Sequence, residues 1–234
     1  MVQSDRQHRL RLLARIAIVA DILEETYGPF ELEPTGDPLA QLIGTILSQH
    51  TSDINTARSY ASLRASFPAW EDVVLADPAS VVEAIRSGGL ANSKAPRIQD
   101  VLTEIKERTG GHRLNTLGDM PVVDATRWLT SLHGVGPKTA ACVLLFALGK
   151  PVMPVDTHVH RIAQRIGFVG PKVNAVRTEL VLEDLLGDNP QQVYAFHKGL
   201  IAHGKTICKA RAPRCAECPL KENCDYYQHI YRHL

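Results

Sequence analysis

Four cysteines near the end of the chain have a spacing that suits a metal centre. They follow the pattern C-x6-C-x2-C-x5-C and are Cys208, Cys215, Cys218 and Cys224. Four thiolates in one short segment can bind either a tetrahedral zinc ion or a four-iron cluster. Zinc sites usually combine two Cys-x2-Cys turns, whereas one tight turn between two longer loops favours the larger cluster. A disulfide pair or unrelated core thiols are the alternatives, and the odd total of five cysteines disfavours a disulfide framework.

Basic residues are interleaved with these cysteines, and Cys142 stands apart from them. Cations on loops that a metal centre ties down predict a surface that contacts phosphate. The four cations are Lys205, Lys209, Arg211 and Arg214. Cys142 lies in an apolar helical pattern, which predicts a structural core residue.

A second candidate site is the segment LHGVGPKTA, residues 132–140, between two apolar helical patterns. Gly134 and Gly136 permit a tight turn whose backbone amides, at the start of the next helix, can bind a phosphate. The segment lacks the spacing of a P-loop. Lys138 opens the second helix, where the macrodipole opposes a cation by about 0.3–1 kcal/mol and so favours the uncharged amine that nucleophilic attack requires. A solvated lysine that only contacts phosphate is the alternative.

A carboxylate follows 18 residues after that lysine. Asp156 comes directly after an apolar run and before a helical pattern, which predicts an N-cap. It could also stabilise positive charge that develops on a sugar as a glycosidic bond breaks. His158 and His160 point in different directions on a helix, so we assign no metal to them.

Composition limits the class of protein. The chain has 234 residues, 44% hydrophobic residues and a formal net charge of +1, so nucleic-acid binding requires basic residues gathered on one face. No run approaches the roughly 18 apolar residues of a membrane span, and the N-terminal segment lacks the apolar core of a secretory signal. We expect a cytoplasmic protein without a membrane partner.

The elements that must position these residues are helical. Apolar residues recur at steps of three and four nearly throughout, and no turn signal joins two alternating runs, so we predict an all-α fold. Asp53 and Ser80 are predicted to cap two of the helices. A seam is predicted near Gly149, Lys150 and Pro151, with the site in a cleft at the seam. Further helices are predicted at about 98–109, 124–132, 138–148, 157–166, 174–186 and 190–203.

The motifs together resemble those of the endonuclease III-type DNA glycosylases. LHGVGPKTAACVL followed by VDTHVHRIAQR resembles the family's helix–hairpin–helix and aspartate loop, and the cysteine spacing is similar to that of its [4Fe–4S] cluster. LIGTILSQHTSDIN and GGLANSKA resemble its two DNA-inserting loops. The resemblance runs from about residue 38 to the C-terminus.

This resemblance implies two helical lobes that flank a DNA-binding cleft. Residues 31–150 would form a helical barrel with the helix–hairpin–helix, while residues 1–30 would pack with a cluster lobe of residues 151–234. The implied activity is a bifunctional glycosylase and abasic-site lyase that flips out oxidised pyrimidines. Lys138 would form a Schiff base with the sugar, Asp156 would be the essential aspartate, and the strand would be cut by β-elimination.

The implied partner is double-stranded DNA with damaged bases or abasic sites, bound by a monomer. The residues implied to contact it, besides the four cations, are Gln49, His50, Leu90, His133, Gly134, Val135, Gly136 and Thr139. The family often has glutamine where His50 stands, so either Gln49 or His50 would fill the gap that the flipped nucleotide leaves. The stretch from Lys94 to Lys138 is also longer than in the best-known bacterial members.

Two other functions remain open at this point. An adenine-mismatch glycosylase shares the cluster and the aspartate but normally lacks a lysine at position 138. A DNA-binding or redox module would keep the hairpin and the cluster without chemistry. Trapping with borohydride separates these functions from a lyase.

Overall fold

The computed structural model describes residues 2–233, and the side chains of residues 6–233. Over this range the chain forms α-helices and short 3-10 turns and contains no strand, which confirms the predicted all-α class. The helices are α1 (Val2–Tyr27), α2 (Pro38–Ser48), α3 (Asp53–Ser66), α4 (Trp70–Leu75), α5 (Pro78–Ala84), α6 (Ala91–Thr109), α7 (Val122–Thr130), α8 (Pro137–Leu148), α9 (Thr157–Ile166), α10 (Ala175–Leu186), α11 (Pro190–Thr206) and α12 (Asp225–His229). None of the described helices is both long enough and apolar enough to cross a bilayer.

Two predicted helix starts are wrong. The N-cap of α3 is Ser52, whose hydroxyl accepts the N–H of Asn55 at 3.3 Å, and Asp53 is already the first helical residue. The helix predicted to begin after Ser80 begins at Pro78, because proline suits the first position of a helix, and Ser80 lies inside it.

The chain divides into two compact units. One comprises Met1–Glu33 together with Gly149–Leu234, and the other comprises Pro34–Leu148. In the second unit α2 packs against α3 and α8, and α5 packs against α6. Residues such as Leu42 of α2 and Val143 of α8 are fully buried there, so the apolar stripes of these helices form the core.

In the discontinuous unit, α11 packs against both α1 and α9. The helices approach closely at Gly199, where an added Cβ would lie 2.9 Å from the Cβ of Leu23. Arg15 of α1 donates to the carbonyl of Ile166 at 2.7 Å and to the carboxylate of Asp225 at 2.9 Å. The N-terminal helix is therefore joined by packing and by hydrogen bonds to the end of α9 and the start of α12.

Candidate functional site

The segment predicted to be a hairpin is a tight turn between α7 and α8. The Val135 N–H donates to the carbonyl of Leu132 at 3.1 Å, and Gly134 has a φ of +76°, a conformation that favours glycine. Among the hydrogen bonds of residues 2–233, none uses the N–H groups of Gly134 and Gly136. These two amides are the donors that the turn can offer to an anion.

The other hairpin residues predicted to contact DNA have different surroundings. The backbone N–H of His133 donates to the Glu104 carboxylate at 3.1 Å, while its side chain is exposed. Val135 and Thr139 are buried, with exposed fractions of 5% and 4%. Their side chains therefore belong to the packing of the turn, and what the hairpin exposes is mainly backbone.

Lys138 is the second residue of α8 and is half-buried. Pro137 precedes it at the first helical position, where the missing N–H of proline costs no helical hydrogen bond. The lysine thus follows directly after the two glycine amides, at the positive end of the helix. It belongs to the unit of residues 34–148.

Asp156 is the N-cap of α9, as its sequence position predicts. Its Oδ1 accepts the N–H groups of His158 and Val159, both at 2.8 Å. In the described part of the chain, Oδ2 takes no hydrogen bond. One oxygen therefore fixes the orientation of the carboxylate, and the other is available to a ligand. Asp156 belongs to the discontinuous unit.

The two histidines after Asp156 have separate partners. Nδ1 of His158 lies 3.2 Å from a guanidinium nitrogen of Arg161, and Nε2 of His160 lies 2.8 Å from the carbonyl of Val173. The rings do not share a ligand position.

The two segments predicted to insert into DNA share an unusual backbone conformation. His50 and Leu90 have φ values of 53° and 52°, and within residues 2–233 only one other non-glycine residue has a positive φ. Leu90 is 58% exposed, and His50 is exposed as well. Gln49 is half-buried and accepts a hydrogen bond from Arg97 at 2.9 Å.

The four C-terminal cysteines converge on one apolar cavity. The cavity is also lined by Ile162, Ile166, Ile207, Leu220, Tyr226 and Tyr227. None of the five cysteines forms a disulfide, so the disulfide alternative is ruled out for this structure. Cys142 lies apart from the cavity and is 3% exposed on α8, as predicted for a core residue.

Two polar side chains contact the sulfur atoms. Arg165 donates to Sγ of Cys208 at 3.3 Å and to the carbonyl of Lys209 at 2.8 Å. Nε2 of His203 lies 3.6 Å from Sγ of Cys218. Burial lowers the pKa of His203 to about 4, and Arg161 acts in the same direction, so the imidazole is neutral at neutral pH.

The electrostatics of the cavity favour protonated thiols until a cationic group enters. Burial raises the pKa of Cys215 and Cys224, and it raises the pKa of Cys218 to about 12. Because thiolates are the metal-binding form, positively charged irons would have to offset this burial cost.

The four cysteines are a donor set of the kind that can hold an iron–sulfur cluster. Among the described residues, no group of three His, Cys, Asp or Glu side chains is arranged to hold a metal ion. In a four-iron cluster each of four thiolates binds its own iron, so the sulfur atoms stand further apart than around zinc. Four cysteines line one apolar cavity here, so each could offer one thiolate to one iron.

Comparison with known protein families identifies the family of this chain. The model described as HhH-GPD superfamily base excision DNA repair protein matches residues 43–187. The chain belongs to this superfamily. It is a DNA glycosylase of base excision repair, and its predicted resemblance to endonuclease III is confirmed by the relatives.

Relatives named endonuclease III cover most of the chain. The protein of Thermotoga maritima is 35% identical over 193 residues, which is 82% of this chain and 84% of the relative. That of Rickettsia conorii is 37% identical over 187 residues, covering 80% and 83%. A structure described as a trapped endonuclease III–DNA covalent intermediate matches with a TM-score of 0.78 and 26% identity, covering 95% of this chain and 99% of the other.

The cations predicted to contact phosphate in this glycosylase are all exposed. They are Lys205, Lys209, Arg211 and Arg214. Arg214 forms an ion pair with Glu217, so part of its charge is balanced within the protein. Lys209 and Arg211 lie on the loop that joins Cys208 to Cys215.

Several contacts of the glycosylase are not evident from its motifs. Arg161 donates to the carbonyl of Cys208, and Arg165 donates to the carbonyl of Lys209. Their spacing of four residues on α9 is the sequence signal that places them on one face of the helix. Lys94 lies within the motif GGLANSKA, but only the structure shows that it is buried.

Proposed function

We propose that this chain is a bifunctional DNA glycosylase and abasic-site lyase that removes oxidised pyrimidines from double-stranded DNA. The observation that carries the proposal is the position of Lys138, directly after a turn with available amides at Gly134 and Gly136. A DNA phosphate bound by these amides would bring the strand to the lysine. The relatives named endonuclease III, and the solved structure of an endonuclease III trapped as a covalent intermediate with DNA, support the same chemistry.

Lys138 is the nucleophile in this proposal. The target nucleotide leaves the stack, and the uncharged amine attacks C1′ as the bond from C1′ to the base breaks. The base leaves with the bonding electrons and takes up a proton. Opening of the C1′–O4′ bond then gives a Schiff base, loss of a proton from C2′ expels the 3′ phosphate, and hydrolysis returns the free lysine.

Asp156 supplies the negative charge for the first step. The positive charge that develops on the sugar as the base leaves is stabilised by a carboxylate held nearby. Because two amides fix Oδ1, the carboxylate needs little reorganisation during the reaction. Oδ2 is the oxygen that would face the sugar.

The four cysteines hold a [4Fe–4S] cluster with a structural role. The ligands are Cys208, Cys215, Cys218 and Cys224. When bound, the cluster cross-links loops that otherwise rely on short 3-10 turns. The cations Lys209, Arg211 and Arg214 on the loop after Cys208, with Lys205 in the last turn of α11, would then contact phosphates on a fixed scaffold.

The remaining DNA contacts come from the exposed His50 and Leu90, next to Gln49, and from the hairpin. An apolar side chain such as Leu90 suits insertion between bases, which opens the stack. All proposed site residues belong to one chain, so a monomer is sufficient for activity.

The test is sodium-borohydride trapping on duplex DNA that carries thymine glycol or an abasic site. The wild type should give a covalent adduct, and Lys138→Ala should give none while still binding DNA. Lys138→Arg is the matched control, because it keeps the positive charge but cannot form a Schiff base. It should also give no adduct.

Asp156→Asn separates the two roles of that residue. Asparagine caps helices as well as aspartate does, so thermal stability should change little. Base release should slow by at least about tenfold, since the charge is lost. A wild type that binds and excises the base without an adduct would reduce the chain to a monofunctional glycosylase, and binding alone would reduce it to a DNA-binding module.

A further inference from the structure

Lys94 of α6 is a buried cation with a specific set of partners. Its exposed fraction is 2%, which is rare for lysine. Its Nζ donates to the carbonyl of Leu47 at 2.7 Å and to the carbonyl of Gly88 at 2.9 Å. Burial lowers the pKa of Lys94, with Arg97 acting in the same direction. These two hydrogen bonds are what offsets the burial of its amine.

The two carbonyls belong to the segments that carry the strained residues. Leu47 lies at the end of α2, three residues before His50, and Gly88 lies two residues before Leu90. Both His50 and Leu90 have a positive φ, which is uncommon for any residue but glycine and is a clear outlier for leucine. Strain of this kind persists only where surrounding contacts enforce it, and it is concentrated at functional sites.

Further contacts fix the same segments. The hydroxyls of Ser59 and Ser87 lie 3.0 Å apart, and an added Cβ on Gly88 would lie 2.5 Å from the Ser59 hydroxyl. The Leu90 carbonyl accepts both the backbone N–H of Lys94 and the hydroxyl of Ser93, each at 3.0 Å. The backbone next to Leu90 is therefore held on both sides.

Arg97, one turn after Lys94, extends these contacts to a third segment. Its guanidinium donates to the side-chain carbonyl of Gln49 at 2.9 Å. Its Cδ lies 3.0 Å from where a Cβ on Gly134 would stand. One face of α6 thus contacts the Gln49–His50 segment, the Leu90 segment and the hairpin, all within the unit of residues 34–148.

We propose that Lys94 and Arg97 are positioning residues that hold His50 and Leu90 in their strained, exposed conformations, so that both side chains enter the duplex when the target base is extruded. This inference rests on the proposed function, in that damaged DNA is the substrate. It also distinguishes Gln49 from His50 as the residue that fills the gap left by the extruded nucleotide. Gln49 is held by Arg97, and His50 is the side chain presented to the gap in the duplex.

The inference is tested with Lys94→Met and Arg97→Ala in the cluster-containing protein. Single-turnover base release is measured for thymine glycol in two duplexes. In one duplex the lesion is paired with a normal base, and in the other it stands opposite an abasic position. Extrusion is less costly when the base is already unpaired. Each variant should therefore lose roughly tenfold or more in rate on the paired lesion and much less on the unpaired one. Methionine replaces the stem of Lys94 up to Cε and has no donor, and Lys106→Met, on an exposed part of the same helix, is the control.

A purely structural role predicts equal losses on the two duplexes, and this result, or no loss on either, would overturn the proposal. If Lys94→Met does not fold, the comparison of the two duplexes is made with Arg97→Ala alone. Arg97→Lys is then expected to restore part of the rate on the paired lesion. Fluorescence of 2-aminopurine placed opposite the lesion reports opening of the stack without any chemistry. If the wild type opens the stack but forms no borohydride adduct, the proposed lyase activity is refuted. The positioning role then stands if Lys94→Met and Arg97→Ala lose the fluorescence change, and it is refuted if they keep it. A wild type that does neither refutes both.

Discussion

Two carboxyl groups on α10, one buried and one half-buried, make the stability of the discontinuous unit depend on pH. Glu179 has an exposed fraction of 9%, and Glu183 follows it one helical turn later. Burial, and then the charge of Glu183, raises the pKa of Glu179 from 4.5 to about 7. Burial also raises the pKa of Glu183, although its carboxylate accepts the N–H of Met153 at 2.9 Å.

The sign follows from proton binding. Between pH 4.5 and about 7 the folded protein keeps a proton on Glu179 that the unfolded chain has lost. The free energy of unfolding therefore falls as pH rises through this window and is level above it. A shift from 4.5 to about 7 corresponds to at most about 3–4 kcal/mol, at about 1.4 kcal/mol per pKa unit.

Glu179→Gln removes this dependence, because the amide stays neutral at every pH. We expect the variant to match the wild type near pH 4.5 and to be more stable by roughly 1–3 kcal/mol above pH 7. Urea unfolding at a series of pH values measures this, and the difference between variant and wild type cancels other titrating groups. Glu183→Gln should lower the pKa of Glu179, because the charge of Glu183 is one cause of its rise. The pH range over which the free energy of unfolding changes should then be narrower. A difference that is constant with pH would refute the reasoning.

Three shorter predictions concern other parts of the chain. Gly167→Ala should destabilise the protein by about 2–4 kcal/mol in thermal or urea unfolding, because φ is +96° and the new Cβ would overlap the carboxylate of Asp225. A loss below about 1 kcal/mol would contradict this. Cys215→Ser should abolish the visible absorbance of the cluster together with DNA binding, while Cys142→Ser, also at a buried cysteine, should keep both. Lys209→Gln should reduce the slope of log affinity against log salt by about one, whereas Lys172→Gln, at an exposed lysine outside the loop between Cys208 and Cys215, should leave it unchanged. Equal slopes for the two variants would remove the Cys208–Cys215 loop from the DNA contacts.

The residues proposed to carry chemistry stand out in the sequence because such chemistry restricts residue type and spacing. Four thiols, an amine beside a glycine turn and a carboxylate at a helix start are all local patterns, and the structure places Lys138 in the first turn of α8 and Asp156 at the N-cap of α9, as their sequence positions predict. The first residue of a helix is harder to predict from sequence, for a physical reason. Ser52 and Asp53 have similar capping ability, so sequence alone does not distinguish them. The helices α4 and α12 have six and five residues, which is too short for apolar periodicity to show.

The contacts around Lys94 could not be predicted, since they depend on tertiary structure. The Leu47 carbonyl lies 47 residues away in sequence, and nothing in a single sequence pairs a lysine with a distant backbone oxygen. The left-handed conformations of His50 and Leu90 are hidden for the same reason. Positive φ is uncommon for histidine, although less so than for most residues, and it is least expected for leucine, so local propensity does not indicate either conformation.

The discontinuous unit has a consequence for how the chain acquires its structure during synthesis. The helix α1 ends at Tyr27, and its packing partner α11 begins at Pro190, about 160 residues later. At a translation rate of about 5–20 residues per second, α1 waits on the order of ten seconds or longer for that partner. During this time Ile16, Val19 and Leu23, which are buried in the finished protein, have no α11 to pack against. Residues 34–148 form a unit from one continuous stretch and can fold first, whereas α1, made before them, packs against α11 only later.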